Sequence, residues 1–368
     1  MRLVLTGGGT GGHIYPALAI GREAAEREPD TSILYIGTTK GLESRIVPNQ
    51  GIPFESIDIT GFRRSLSIEN VKTVMRFVQG VRRSKQLLRE FKPDAVVGTG
   101  GYVCGPVVYA ASRLGIPTLI HEQNVVPGLT NKFLSRYADA VAVSFADSLP
   151  HFSGRRNVVH AGNPVASTVS KADRGRGFRS LGLADGTPFV LAVGGSRGAK
   201  ALNEAILEML PRLESLPNVH FVFVTGERYY EEALARLGEL PTKLKGRVHA
   251  LHYLNNMPEV LSAASLVVSR AGASSLAEIT SLGVPSILIP SPNVTNNHQQ
   301  PNAESLADAG AGVMILEKDL NGTVLFESVS AIMQDTARQE AMAAASKALG
   351  MPLAAGSIYE QIKGIANK

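Results

Sequence analysis

Between Ser269 and Leu306 the sequence brings together small residues, the carboxylate of Glu278 and a run of side-chain amides. The apolar run over 266–268 reads as a buried strand, and Arg270, Gly272, Ala273, Ser274 and Ser275 lead from it into a helix expected over 276–282. Short side chains at a strand-to-helix turn let backbone N–H groups and the positive end of the helix dipole approach an anion. Glu278, one turn into that helix, is suited to accept hydrogen bonds from a pair of neighbouring hydroxyls such as a ribose diol. A second strand over 285–289 ends at Pro290, and Asn293, Asn296, Asn297, His298, Gln299 and Gln300 follow. Their amides donate and accept to sugar hydroxyls without charge. Anion site, diol acceptor and amide loop together point to a nucleotide-sugar pocket. The plainer alternative is a strand–helix–strand unit whose first-turn Glu only offsets the helix dipole.

A second set of polar groups lies in the first half. His13 closes the glycine run Gly7-Gly8-Gly9-Thr10-Gly11-Gly12, which follows the apolar residues Leu3-Val4-Leu5. An imidazole there is suited to accept a hydroxyl proton near neutral pH, and equally to a local cap. The turn Gly98-Thr99-Gly100-Gly101-Tyr102 presents another bare backbone at a strand end. His121-Glu122-Gln123-Asn124, at the end of the next, reads as a ligand-facing rim. Glu122 is a second candidate base, and residue type does not rank it against His13.

Competing chemistries lose ground on detail. Gly7, Gly9 and Gly12 satisfy GxGxxG, but the second strand ends Ile36-Gly37-Thr38 without the acid a dinucleotide ribose needs. Ala199 and Ala201 flank Lys200, so no phosphate loop of the GxxxxGK[ST] kind is present. There is no zinc-type Cys/His cluster or HExxH, and no DxD near the pocket. No cofactor and no protein-bound metal are expected.

These groups need a frame. At 368 residues the chain calls for two domains, and 44% hydrophobic with 19% charged residues is ordinary for a soluble protein. The single cysteine, Cys104, leaves no intrachain disulfide and fits a reducing compartment. The chain opens directly on a strand, and no apolar run approaches the roughly 18 residues of a membrane span. A cytoplasmic protein without signal peptide is the expectation.

Charge is uneven: between Phe62 and Lys92 nine Lys or Arg face two acids, interleaved with apolar residues such as Val74, Met75 and Val78. A basic helix with an apolar face suits an anionic membrane surface. No aromatic platform accompanies it, so nucleic acid is not expected as a partner.

Strands are expected over 2–6, 32–36, 54–58, 95–98, 118–120, 140–143 and 158–160. Helices are expected over 15–27, 42–48, 67–91, 105–114 and 128–137 between them. After a hinge at Gly162-Asn163-Pro164-Val165 the rhythm restarts over 188–193, 219–224, 248–251, 266–268, 285–289 and 312–315. This predicts α/β architecture with two doubly wound Rossmann-like domains, 1–164 and 165–350, facing across a cleft at their strand C-terminal edges. Each opens with a glycine turn, Gly7–Gly12 and Gly194-Gly195-Ser196-Arg197-Gly198. Residues 351–368 read as a weakly amphipathic helix expected to cross back to the first domain.

The motifs TGGGTGGH from Thr6, GTGGYVCGP from Gly98, HEQN from His121, GNPV from Gly162 and GGSRGA from Gly194, with Glu278 and Gln299-Gln300, occur in one order across nearly the whole chain. In this the sequence closely resembles the MurG family, the bacterial lipid II-forming N-acetylglucosaminyltransferases. The resemblance implies a GT-B fold and transfer with inversion by single displacement. GlcNAc would move from UDP-GlcNAc to the MurNAc 4-hydroxyl of undecaprenyl-pyrophosphoryl-MurNAc-pentapeptide (lipid I) in peptidoglycan synthesis.

Matching positions imply donor contacts at Thr10, Gly11, Gly12, Asn124, Ser196, Leu254, Ala273, Ser274, Ser275, Glu278, Gln299 and Gln300, with His13 as the base. Leu254 corresponds to the position whose backbone meets uracil, Glu278 to the ribose contact, and the two glutamines to the GlcNAc hydroxyls. Gly9, Gly61, Arg63, Gly100, Gly101 and Tyr102 would cradle the acceptor pyrophosphate. The resemblance also implies a peripheral location on the inner face of the cell membrane, and leaves room for other cell-wall synthesis proteins as partners. One departure stands out: Ala166 follows GNPV where some relatives carry a donor-side arginine, which leaves Arg197 or Arg270 to take its place. The alternatives are another UDP-sugar enzyme, such as a UDP-GlcNAc epimerase, and a non-catalytic nucleotide-sugar-binding protein.

Overall fold

The computed structural model describes residues 1–61, 68–195 and 198–367, with the backbone alone for 68–72. Arg63, Arg64, Ser196 and Arg197 lie outside the described residues. The chain divides into two compact units, Met1–Ser167 together with Leu353–Lys368, and Thr168–Pro352.

In the first unit, β1 (Arg2–Thr6), β2 (Ser32–Gly37), β3 (Phe54–Ser56), β4 (Ala95–Gly98), β5 (Thr118–Glu122), β6 (Ala140–Val143) and β7 (Val158–His160) form one parallel sheet. Its order is β3-β2-β1-β4-β5-β6-β7. The connecting segments include helices α1 (Gly11–Arg27), α2 (Glu43–Ile46), α3 (Ile68–Phe91), α4 (Cys104–Arg113) and α5 (Leu129–Leu134). Side chains alternate across a strand, so both faces of β1 are apolar and both must be covered. Leu3 and Leu5 pack with Ile14 and Ile20 of α1, whereas Val4 packs with Leu88 of α3 and Val107 of α4. The helix Ala354–Ala366 belongs to this unit, burying Ile358, Tyr359, Ile362 and Ile365 on the α1 side of the sheet.

The second unit repeats the plan with β8 (Phe189–Val193), β9 (His220–Val224), β10 (Val248–Leu251), β11 (Leu266–Ser269), β12 (Ser286–Leu288) and β13 (Gly312–Met314). Its order is β10-β9-β8-β11-β12-β13, again all parallel.

Four boundaries differ from the sequence expectation in ways that bear on the site. The helix after the first glycine run starts at Gly11, which puts His13 in its first turn. Strand β5 continues through His121 and Glu122, because both pair with β6. The helix after β11 starts at Ala273, where Gly272 in extended conformation opens the first turn. The first unit runs to Ser167, a few residues beyond the expected boundary at 164.

Candidate functional site

In each sheet the strand order reverses at one point, between β1 and β4 and between β8 and β11. Such reversals leave a crevice at the strand C-termini, where ligands of this architecture bind. In the first unit the turns leaving β1 and β4 interlock. Gly8 N–H donates to the Gly100 carbonyl at 3.2 Å. A Cβ on Gly101 would stand 2.3 Å from the Gly8 oxygen, and one on Gly100 would stand 2.7 Å from His13 Cδ2. Both glycines have φ above +80° (+82° at Gly101, +109° at Gly100), so neither close approach survives a side chain.

His13 Nδ1 lies 2.9 Å from the Gly8 carbonyl oxygen, and its own carbonyl accepts from Thr99 Oγ1 at 2.7 Å. A carbonyl only accepts, so this contact calls for the hydrogen on Nδ1 and the lone pair on Nε2, the form a general base needs. Thr10 makes no side-chain cap, and the first turn of α1 is Gly11-Gly12-His13, with little side chain over its N–H groups. Tyr102 lies 3.8 Å from a Cβ built on Gly9 and 3.6 Å from one on Gly61. The three glycine turns of the first unit therefore converge on one exposed aromatic ring.

The structure corrects the expected polar rim at 121–123. His121, Glu122 and Gln123 are buried and Asn124 is half-buried. His121 donates from Nε2 to the Gly162 carbonyl at 3.0 Å and accepts the Gln123 amide at Nδ1 at 2.9 Å. Burial pushes its pKa down to about 4, so it is neutral. Glu122 accepts from the backbone N–H groups of Asn124 and Gly128 and from Asn131 Nδ2, at 3.0, 3.1 and 2.9 Å. The carboxylate named as second base is engaged on both oxygens in shaping the loop after β5. The physical reason is that β5 runs on into the sheet, carrying these side chains beneath that loop.

In the second unit a cavity of about 230 Å³ opens at the β8/β11 reversal. Leu254, Met257 and Ile279 form apolar wall, and Arg270, Ser275 and Glu278 bring polar groups to it. The helix Ala273–Leu282 starts without a side-chain cap, and the buried Ser274 hydroxyl has no partner among the described residues. Orphan N–H groups at a helix start, a hydroxyl beside them and the dipole favour an anion. Glu278 has no hydrogen-bond partner among the described residues, and burial pushes its pKa up to about 7.

Arg270 donates to the Ile289 carbonyl at 3.2 Å and pairs with Glu317. The described candidate for replacing the arginine missing at Ala166 is therefore already engaged. Gln299 accepts the Ser291 N–H through Oε1 at 2.9 Å, which leaves it donor chemistry through Nε2. Gln300 joins Asn297 and Glu304 at 2.8 and 2.9 Å, with both amide ends engaged locally.

Glu43 escaped the sequence reading. It stands past the end of β2, where a dinucleotide fold carries its acid, and it is fully buried beneath the first glycine run. That position was the available signal; the side chain folds inward instead of facing a ligand.

Comparison with known proteins fits this geometry. Residues 3–143 match the glycosyltransferase family 28 N-terminal domain, and 189–358 match the glycosyltransferase family 28 C-terminal domain. The UDP-N-acetylglucosamine–N-acetylmuramyl-(pentapeptide) pyrophosphoryl-undecaprenol N-acetylglucosamine transferase of Halalkalibacterium halodurans is 52% identical over 366 residues, covering 100% of both chains. The crystal structure of Acinetobacter baumannii MurG superposes with a TM-score of 0.80 at 30% identity, covering 99% of each chain. A UDP-GlcNAc 2-epimerase from Neisseria meningitidis, at 17% identity and a TM-score of 0.69 over 99% of this chain and 100% of its own, shares the fold alone. The chain belongs to glycosyltransferase family 28, and within it to the full-length N-acetylglucosamine transferases of the MurG kind.

Proposed function

We infer that this chain is an inverting glycosyltransferase that moves N-acetylglucosamine from UDP-N-acetylglucosamine to the MurNAc hydroxyl of undecaprenyl-pyrophosphoryl-MurNAc-pentapeptide, converting lipid I to lipid II. The observation that carries this reading is 52% identity, over the full length, to a transferase named for that reaction. The second-unit pocket offers what such a donor needs. Its uncapped helix start suits the diphosphate, Glu278 the ribose diol and the backbone at Leu254 the uracil, while Gln299, at the start of the helix Gln299–Asp308, is assigned to the sugar hydroxyls.

In the reaction the acceptor hydroxyl oxygen bonds to the anomeric carbon and the bond from that carbon to the diphosphate oxygen breaks. UDP departs, and the hydroxyl proton passes to a base, for which His13 Nε2 is the candidate. Charge growing on the departing diphosphate meets fixed backbone dipoles, which need no reorganisation at the moment of reaction. No resident metal or cofactor enters this scheme. The glycine turns around Tyr102 are assigned to the acceptor pyrophosphate. The exposed Val74, Met75 and Val78 of α3, beside Arg76 and Arg82, are assigned to an anionic membrane surface. No helix among the described residues is long and apolar enough to cross a membrane.

The test is transfer of labelled GlcNAc to a lipid I analogue. Glu278→Ala is expected to weaken donor binding about ten- to hundredfold, the cost of losing a hydrogen bond to a charged group. His13→Ala is expected to lower kcat by about 10²- to 10⁴-fold and leave donor binding intact. Release of UDP that ignores the acceptor would sink the transferase reading.

A further inference from the structure

Glu43 has a wider reach than its burial suggests. It opens the short helix α2, and its carboxylate lies under the first glycine turn with no exposure to solvent. Oε1 accepts from the Thr38 backbone N–H at 3.1 Å and the Thr38 hydroxyl at 2.6 Å, and Oε2 accepts from the Gly9 N–H at 3.1 Å. Glycines make room for it: a Cβ on Gly8 would stand 2.6 Å from Oε1, and one on Gly41 would stand 2.2 Å away. Tyr35 fixes the neighbouring peptide by donating to the Gly7 carbonyl at 2.7 Å.

The Gly9 N–H and the Gly8 C=O are the two ends of one peptide group. The Gly8 oxygen is the atom 2.9 Å from His13 Nδ1. Hydrogen bonds therefore run in series from carboxylate to peptide to imidazole. A charge accepting at the N–H end polarises the amide and makes its carbonyl a stronger acceptor, because hydrogen bonds in series reinforce one another. A carboxylate that orients a histidine through its Nδ1–H is a known catalytic device; here one peptide group stands between the two.

We propose that Glu43 is a positioning residue for the transfer: through the Gly8–Gly9 peptide it holds His13 with the hydrogen on Nδ1 and the proton-accepting lone pair on Nε2. The proposal rests on the reading of His13 as the base. It also gives a use to the acid beyond β2, which in dinucleotide folds meets a ribose and here is turned inward against the glycine turn.

The test is ¹⁵N NMR of the imidazole nitrogens in the histidine-labelled full chain, with the His13 signals assigned by their loss in His13→Ala. The wild type is expected to show Nδ1 protonated and Nε2 unprotonated. Glu43→Gln keeps the size but leaves one oxygen for donors at Thr38 and Gly9 that now use two. It is expected to mix the tautomers and to lower kcat about ten- to hundredfold, with the donor KM within about twofold of wild type. Glu43→Asp, which keeps the charge, is expected to recover part of the loss.

Hydrogen on Nε2 in the wild type overturns the proposal, as does a Glu43→Gln protein with unchanged His13 signals and kcat. If Glu43→Gln does not fold, Thr38→Val, which removes one donor and keeps the carboxylate, is judged by the same two readouts. A His13→Ala protein with near wild-type kcat overturns the base reading and this proposal with it. An inactive His13→Ala beside a fully active, unaltered Glu43→Gln overturns this proposal alone.

Discussion

A carboxylate set among the apolar atoms of a pocket ionises reluctantly, and Glu278 is held at about 7 by that burial. In the unliganded protein the sign is unfavourable to charge. The native state prefers Glu278 neutral, so this group's contribution to stability is lost as pH rises from the ordinary carboxylate range through about 7. A ribose diol donating to the carboxylate reverses that preference, because hydrogen bonds to the charged form favour it. Affinity for UDP-GlcNAc, whose diphosphate diester keeps its charge near neutrality, is therefore expected to rise between about pH 6 and about pH 8. Calorimetric titration is expected to show that slope in the wild type and none in Glu278→Gln. A flat wild-type profile would remove Glu278 from the ribose. At this scale the sequence was informative about residue types and much less about their partners. Glu278, Ser274 and His13 announced themselves by position beside glycine turns. The same logic overrated Glu122, because two residues' difference in where β5 ends decides whether a carboxylate faces a ligand or the underside of a loop.

Among the elements, α3 shows how packing divides what composition leaves whole. The stretch 62–92 reads as one basic segment with one apolar face. In the structure Leu87 and Leu88 are core, and Phe77 and Val81 pack against that core, whereas Val74, Met75 and Val78 are 51%, 58% and 45% exposed. Helical periodicity accounts for the first group; the second is left largely uncovered by the described residues. Arg76 and Arg82 share the outer region, although Arg76 also reaches the Thr60 hydroxyl at 3.3 Å. Replacing Val74, Met75 and Val78 together by Ser is expected to lower binding to anionic lipid vesicles by about tenfold or more, given ~1.5–3 kcal/mol for each large apolar side chain fully withdrawn from water. Transfer to a water-soluble acceptor analogue is expected to stay near wild type. Equal vesicle binding by the variant, measured by co-sedimentation, would move the membrane contact elsewhere.

The whole molecule is a chain that leaves its first unit after Ser167 and returns at Leu353. The returning helix buries Ile358, Ile362 and Ile365 and is held by Glu28. That carboxylate accepts from Tyr359 Oη at 2.7 Å and pairs with Lys363 at 2.5 Å. The hydrogen bond from Lys363, followed by those from Tyr359 and the N-terminal amine, lowers the Glu28 pKa to about 2 from its ordinary 4.5. A depressed acid contributes stability that is present above the unfolded value and is lost as pH falls from 4.5 through about 2. Glu28→Gln is expected to remove that part of the acid dependence and to raise hydrogen exchange in Ala354–Ala366 and α1. Donor binding in the second unit is expected to be unaffected. Unchanged exchange in both helices would show that apolar burial alone holds the return.

The sequence by itself determined the order of strands and helices, the two glycine-led repeats and the family. These depend on local periodicity, on turn residues and on motifs that keep their order along the chain. Only the tertiary structure decided which polar groups are buried and what they bond. Glu43 reaches Gly9, Glu122 turns under its loop, and Arg270 is taken by Glu317. Glu43 and Arg270 are held by neighbours distant in sequence, and Glu122 is carried under its loop by the pairing of β5 with β6; in each case a buried polar atom left unpaired would be costly.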